Sequence, residues 1–541
     1  MAASHGHTIH SSIEEAANQS VYPPILKLHD DLLWRIFMIN ATLDDKFGLG
    51  RDGQPKNTGL ETARFTSQVC RQWRALTLGS PTIWGNTIDL QLLRQNSDQW
   101  RKVVLKRSGS APLWISGDVL GENEHSMPYF FSLLNDNWER IRGLDIRVFK
   151  FFSLDYDMWR SFRSAAPNLE VLRVQFHSIP EPSSLTSRDQ GVFFSGKAPR
   201  LREFHCPMMS FSMSAPWVRQ LQALTLSYPQ SIYDLFSTAD MPFLETLDIL
   251  EILRINEILV PGNLANKKVF PRLKSINLQH NFKACLSILE HIIASPRCAL
   301  HLLTCDRDLR HVTSDQISAF QAIITHYSKG YFDATPTQQL VLHVHENMFS
   351  MSAPTATRIP PSSFSVNIIS PPHAIFSPIM RSFSSCDFSS VTTFRLYIFN
   401  DYETYKLDTI SFISALPSVE ILHVTKDAIR ILLCLPKERR KVFPMLHTLT
   451  LGHSENLVRP PYPDVLLSFL ASRRDEGMPI KILDLAECPF ESIGNLGLLE
   501  GMANLKVRWK RPSGFVSGVD EYICGSGTPS MLDLRTNAHN V

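Results

Sequence analysis

A short apolar motif recurs along most of this chain and restricts its fold more than any other feature. One apolar residue is followed three and five positions later by two more. The motif reads Ile141-Leu144-Ile146, Leu169-Leu172-Val174, Leu201-Phe204-Cys206, Leu221-Leu224-Leu226, Leu244-Leu247-Ile249, Leu273-Ile276-Leu278 and Leu300-Leu303-Cys305. It resumes as Val391-Phe394-Leu396, Val419-Leu422-Val424, Leu446-Leu449-Leu451 and Ile480-Leu483-Leu485. Most neighbours start 20 to 34 residues apart, and Pro167, Pro199, Pro242, Pro271, Pro417 and Pro444 stand just upstream of several. The last two positions of each unit flank a single residue, so both point to the same side of a strand. One short strand cannot bury that side alone, but parallel neighbours stacked on one another can. At about 1.5–3 kcal/mol per buried aliphatic side chain, such stacking offsets the ordering of each unit. Segments between the strands, such as Cys285–Ile293, have helical periodicity and would cover the other side. An ordinary α/β domain with buried strands also fits the irregular spacing.

The motif resembles the leucine-rich repeat in an irregular form with long returns. The asparagine or cysteine that follows the repeat's strand is mostly missing, although Cys488 stands in such a place. The resemblance implies a solenoid over residues 91–510 with a parallel β-sheet on its concave face. A proline- and serine-rich stretch, about 350–390, holds Pro360-Pro361 and Pro371-Pro372 and predicts a loop-rich insertion. Glu181–Pro199 predicts a shorter one. The glycine- and serine-rich residues 511–541 read as a loose tail or minimal cap. The residue between the last two apolar positions is polar in every unit: Asp145, Arg173, His205, Thr225, Asp248, Asn277, Thr304, Arg395, His423, Thr450 and Asp484. On a concave sheet these would form one row, the face on which such solenoids bind partners. Any water-facing strand side is also polar. The candidate target-binding residues are Arg173, His205, Asp248, Asn277, Arg395 and His423.

Ahead of the repeats lies a different pattern. Leu28, Leu32, Ile36 and Ile39 fall at helical spacing, with Leu33 and Phe37 one step round, behind Asp30 and Asp31 at the helix start. After a polar, glycine-bearing loop, Asn40–Glu61, a second segment places Val69, Trp73 and Leu76 on one face and Arg71, Gln72 and Arg74 on the other. Two short helices can pack together and still leave apolar residues over, which marks a partner surface. These segments resemble the F-box, whose pattern is roughly L-P-x-E-L-L-x-x-I-F, a variable loop, then V-C-[RK]-x-W. Leu28, Asp31, Leu32, Leu33, Ile36 and Phe37 match the first half; Val69, Cys70, Arg71 and Trp73 match the second. Ser80-Pro81-Thr-Ile-Trp84 and Arg107–Leu113 are similar to the fungal version. His29 replaces the family's proline and Asp31 its glutamate. The resemblance implies a small all-helical head over residues 23–90, docking on a Skp-type adaptor and through it on a cullin. It assigns adaptor binding to Leu28, Asp31, Leu32, Leu33, Ile36, Phe37, Val69, Cys70 and Trp73.

The fold class expected is α/β, with the helical head followed by the repeat solenoid and residues 1–22 disordered. Net charge is +2, and no basic run interleaves with aromatics, so neither nucleic acid nor a membrane is expected as a partner. The nine cysteines never fall in C-x-x-C spacing, which fits reduced thiols and a cytoplasmic or nuclear setting. Residues 1–7 lack an apolar core, so no signal peptide is read there, and no apolar run reaches membrane-spanning length. Gly48-Leu-Gly50-Arg-Asp-Gly53 matches G-x-G-x-x-G without the strand and helix a dinucleotide site needs. Gly452-His-Ser-Glu-Asn456 lacks the second glycine of a nucleophile elbow. His343-Val-His345 places two imidazoles on one strand side but has no third ligand at suitable spacing. Cys298, Cys305, Asp306 and His311 match no ligand spacing. No enzyme activity, cofactor or metal is expected. The reading is a substrate-receptor subunit of a Skp–cullin–F-box ubiquitin ligase, its solenoid holding an unidentified target protein. A non-ligase interaction scaffold, with the head only capping the solenoid, stays open.

Overall fold

A computed structural model describes residues 24–42, 59–95, 98–120, 126–149, 158–177, 193–207, 211–227, 229–237, 240–251, 267–304, 306, 312–345, 347–354, 363–371, 373–399, 402–435, 442–451, 463–488, 496–510 and 518–532. The disorder expected of residues 1–22 and the glycine-rich Gly48–Gly53 lie outside them. The chain is mixed α/β with a long, parallel-rich sheet. It divides into two units, Met1–Trp217 and Val218–Val541.

The first unit opens with α1 (Asp30–Thr42), which carries Asp30 and Asp31 in its first turn. Next comes α2 (Gly59–Val69), a helix that the loop reading of Asn40–Glu61 did not anticipate. Leu60, Ala63 and Ser67 bury its inner side at helical spacing. Gly59 starts where α2 crosses the end of α1, and a Cβ there would lie 2.3 Å from the Ala41 carbonyl oxygen, so only glycine fits. Cys70 is extended (φ −153°, ψ 174°) and breaks the chain before α3 (Arg71–Leu78). This corrects the single face expected of Val69, Trp73 and Leu76. Val69 ends α2, whereas Trp73 and Leu76 on α3 pack against the Leu33, Phe37, Ala41, Ala63 and Ile83 cluster. A short α4 (Pro81–Gly85) has proline at its start and buries Trp84, whose indole N–H donates to the Thr77 carbonyl at 2.8 Å.

The helical span ends at Gly85, short of the expected residue 90. Ile88 is fully buried, and β1 (Ile88–Asp89) pairs in parallel with β2 (Leu113–Val119). Between them lies α5 (Asp98–Ser108), closed by Gly109 at φ +50°. Helix α6 (Ser126–Asn137) then leads to β3 (Ile141–Val148), β4 (Val171–Phe176) and β5 (Glu203–His205). Strands β2 to β5 are parallel and placed in sequence order. Ile115, Leu144, Leu172 and Phe204 stand side by side across them, all fully buried.

In the second unit the first strands are also sequential and parallel: β6 (Ala223–Leu226), β7 (Thr246–Leu250), then β9 (Ser275–His280) and β11 (Ala299–Thr304). Helix α7 (Pro229–Ser237) joins β6 to β7, and α8 (Phe282–His291) follows β9. A separate parallel pair, β8 (Lys268–Phe270) with β10 (Ile292–Ala294), precedes β9 and β11. Leu224, Leu247, Ile276 and Leu300 form a buried ladder of this unit, in register with one another. The motif reading of 300–305 is corrected by three positions, an odd shift that exchanges the strand's faces. Leu300, Leu302 and Thr304 face the core, and His301, not Thr304, occupies the polar row opposite Asn277.

Sequence order then breaks. After the 21-residue α9 (Ser314–Ala334), β12 (Gln339–His345), β13 (Met348–Ala353) and β14 (Phe364–Ile369) form an antiparallel meander. Strand β14 returns to pair with β11, and β12 pairs with β15 (Thr393–Ile398) on the far side. The expected loop-rich stretch 350–390 thus supplies β-structure and α10 (His373–Ser384) among its described residues. Simple stacking resumes through β15, β16 (Ile421–Val424), β17 (Thr448–Leu451), β18 (Ile482–Asp484) and β19 (Lys506–Lys510). Helices α11 (Tyr402–Ile413), α12 (Lys426–Leu433) and α13 (Pro463–Asp475) alternate with them. Within the tail read as loose, β20 (Val519–Ile523) pairs antiparallel with β19 and Leu532 is fully buried.

Candidate functional site

Two surfaces follow from these elements, one on each pattern the sequence singled out. On α1, Leu33, Phe37 and Ala41 repeat every four residues and turn inward. Phe37 meets the Trp73 ring edge-on at 4.9 Å. Leu28 and Trp73 are half-buried against the same cluster, and Gln72 donates to the Asp30 carboxylate at 2.8 Å, tying α3 to the start of α1. Cys70 is half-buried at the break. These residues hold the helices together. Asp31 is exposed. Leu32, Ile36 and Ile39 are 48%, 37% and 55% exposed. At i, i+4 and i+7 they form a second apolar stripe beside the buried one. Val69 is 60% exposed and sits one turn from Phe65, also exposed, on the outer side of α2. Phe65 and Ile39 were absent from the predicted set; the i, i+4 pairing of Phe65 with Val69 was the signal that could have found Phe65.

The polar row runs along the outward side of the strands. In the first unit its charges engage one another. Arg173 donates to Asp145 at 3.1 Å and also to Glu203, and His205 stands beside Arg173 in register, half-buried. Asp145 is buried, so the guanidinium between two carboxylates compensates it, and those carboxylates hold the Arg173 pKa above its ordinary value against the opposing effect of burial. Two residues further along the strands, Asp118 accepts from Gln91 at 2.6 Å and from Arg147 at 2.7 Å.

In the second unit Thr225 donates to Asp248 at 3.2 Å, and Asn277 and His301 follow in register. The row crosses the meander through Ser365, Ser352 and Val341 to Arg395, His423, Thr450 and Asp484. The sequence missed Ser352 and Ser365 because no repeat motif marks β13 or β14. Here the charges sit apart. Glu487 lies 3.9 Å from Arg395 and 3.7 Å from His423, both beyond hydrogen-bond length. Burial, followed by the Arg395 charge, pushes His423 below its ordinary value, so its imidazole is neutral at pH 7. One strand turn away, His343 packs on Tyr397 and Phe399 at 5.9 and 5.1 Å, and His345 on Phe399. The two imidazoles are aromatic packing partners in this bank. Among the described residues no group of three or more His, Cys, Asp or Glu is placed to hold a metal ion, and no helix is long and apolar enough to cross a membrane.

No protein-family model matches this chain, and no curated protein matches it.

Proposed function

We propose that this chain is a substrate-receptor subunit of a Skp–cullin–F-box ubiquitin ligase. Its helical head docks on the Skp-type adaptor, and its repeats form a leucine-rich-repeat-like solenoid that holds a target protein. The chain contributes proximity and no bond chemistry of its own. The observation that carries the reading is the exposed stripe Leu32, Ile36 and Ile39 on α1, left over after Leu33 and Phe37 complete the head's core. Large apolar anchors at an interface cost about 2 kcal/mol or more on truncation. The double variant Leu32→Ala, Ile36→Ala of the full chain therefore binds a purified Skp-type adaptor at least roughly 30-fold more weakly than the unaltered chain. A folded, unaltered chain that never binds the adaptor overturns the assignment. One observation favours the capping alternative in that case: β1 follows the head directly and pairs with β2, joining the head to the first sheet. In the second unit the target would lie along the polar row at Asp248, Asn277, Arg395 and His423; the first unit carries a row of its own at Arg173 and His205.

A further inference from the structure

The small parallel pair β8 and β10 sets Phe270 opposite Ala294. From those two residues the chain runs through two short connections, side by side, into β9 and β11. Both connections carry cations: Arg272 and Lys274 in the first, Arg297 in the second. Together with Glu245, Pro271, Leu273 and Ser295 they line an open depression of about 380 Å³. Lys274 is taken by Glu245 at 2.6 Å, and the two charges cancel. Arg272 lies over the Phe243 ring, 5.1 Å from its centre, and has no carboxylate partner among the described residues. Arg297 is exposed and has no carboxylate partner among the described residues. Two guanidinium groups without a carboxylate partner among the described residues thus line one depression, together with Ser295.

We infer that this depression binds a phosphate monoester dianion. Two planar forks can each give paired N–H donors to one tetrahedral oxyanion, and their charge of +2 matches a group carrying about −1.5 to −2 at pH 7. A carboxylate would balance only half of it. The inference does not rest on the adaptor-docking proposal, because it concerns different residues and a different ligand.

Isothermal titration of the full chain at about 0.15 M ionic strength tests it. The probes are inorganic phosphate, a short uncharged peptide bearing one phosphoserine, and the same peptide with aspartate in that place. Saturable binding of inorganic phosphate, or of the phosphoserine peptide alone, is expected; the first assigns a small phosphate, the second a modified polypeptide. Arg272→Ala and Arg297→Ala each weaken it by about tenfold or more, and the lysine replacements fall between. Arg381→Ala, an exposed cation on α10, leaves it unchanged. No saturable binding by either phosphate probe, binding that survives both alanine variants, or equal binding of the aspartate peptide overturns it.

Discussion

Leu32 and Leu33 are adjacent, equally apolar and opposite in consequence. Leu33 is fully buried in the head, so Leu33→Ala should cost about 2–5 kcal/mol of stability. Leu32→Ala should stay within about 0.5 kcal/mol, because the side chain is half in water. Denaturant midpoints of the two variants check this contrast. The sequence placed both residues on a wide apolar stripe but could not rank them. The ranking depends on α2, whose weak apolar signal read as loop. A second residue-scale test concerns the start of α8, where the Phe282 amide donates to Asp306 and Glu251 lies close by. Burial raises both carboxyl pKa values, and His280, nearly buried beside them and 3.6 Å from Glu251, is pushed down by burial. A raised carboxyl pKa means stability that is complete below the ordinary carboxylate value and is lost as pH rises through the raised one. Asp306→Asn keeps an acceptor for the Phe282 amide and removes the charge. Its melting temperature relative to the unaltered chain should therefore climb as pH rises above the ordinary carboxylate value of about 4 and stay level below it. An Asp306→Asn difference independent of pH would contradict the burial argument.

At the scale of elements, what sequence could reach was the strand with its inward alternation. Nearly every motif became a parallel strand, because three apolar residues at fixed spacing encode a face directly. The meander β12–β14 escaped because its alternation, as in Phe349, Met351 and Ala353, lacks the motif's leading apolar residue three positions ahead, where Glu346 stands, and runs antiparallel. Its neighbour relations are non-local, and nothing in residues 339–369 says that β14 must return to β11. Element junctions are equally hidden. The Thr425 hydroxyl donates to the Ile398 carbonyl at 2.7 Å and accepts from the Ile398 amide at 3.1 Å, closing the end of β15 just before α12 begins. All of these atoms are buried. Thr425→Val keeps the shape and strands an amide and a carbonyl, so it should cost about 1–3 kcal/mol. Thr425→Ser should recover most of that loss. Equal destabilisation by valine and serine would assign the effect to packing instead of the paired hydrogen bonds.

For the second unit as a whole, the decisive question is how a long sheet ends. An open parallel sheet presents unpaired amides and carbonyls at its last strand, a template for another chain. Here β20 covers β19 along its length, Glu521 meets Lys506 at 3.1 Å and Arg508 at 3.3 Å, and Tyr522 donates to Glu500 at 2.9 Å. The Leu532 carbonyl accepts from the Leu496 amide at 3.0 Å, anchoring the far side. Glycine and serine content left this segment open between a loose tail and a minimal cap, since composition does not register a single well-placed strand. Truncation after Lys510 removes the cover and leaves Lys506, Arg508 and Lys510 on a bare edge. Those three cations repel a second copy while salt is low. Screening shortens their reach to about 10 Å at 0.1 M and about 3 Å at 1 M. The truncated chain should therefore melt below the full chain and elute as a single copy at low ionic strength, then shift to larger species as salt rises. The full chain should show no such shift. Light scattering across a salt series reads both, and identical behaviour of the two chains would mean that β20 is not what closes the sheet.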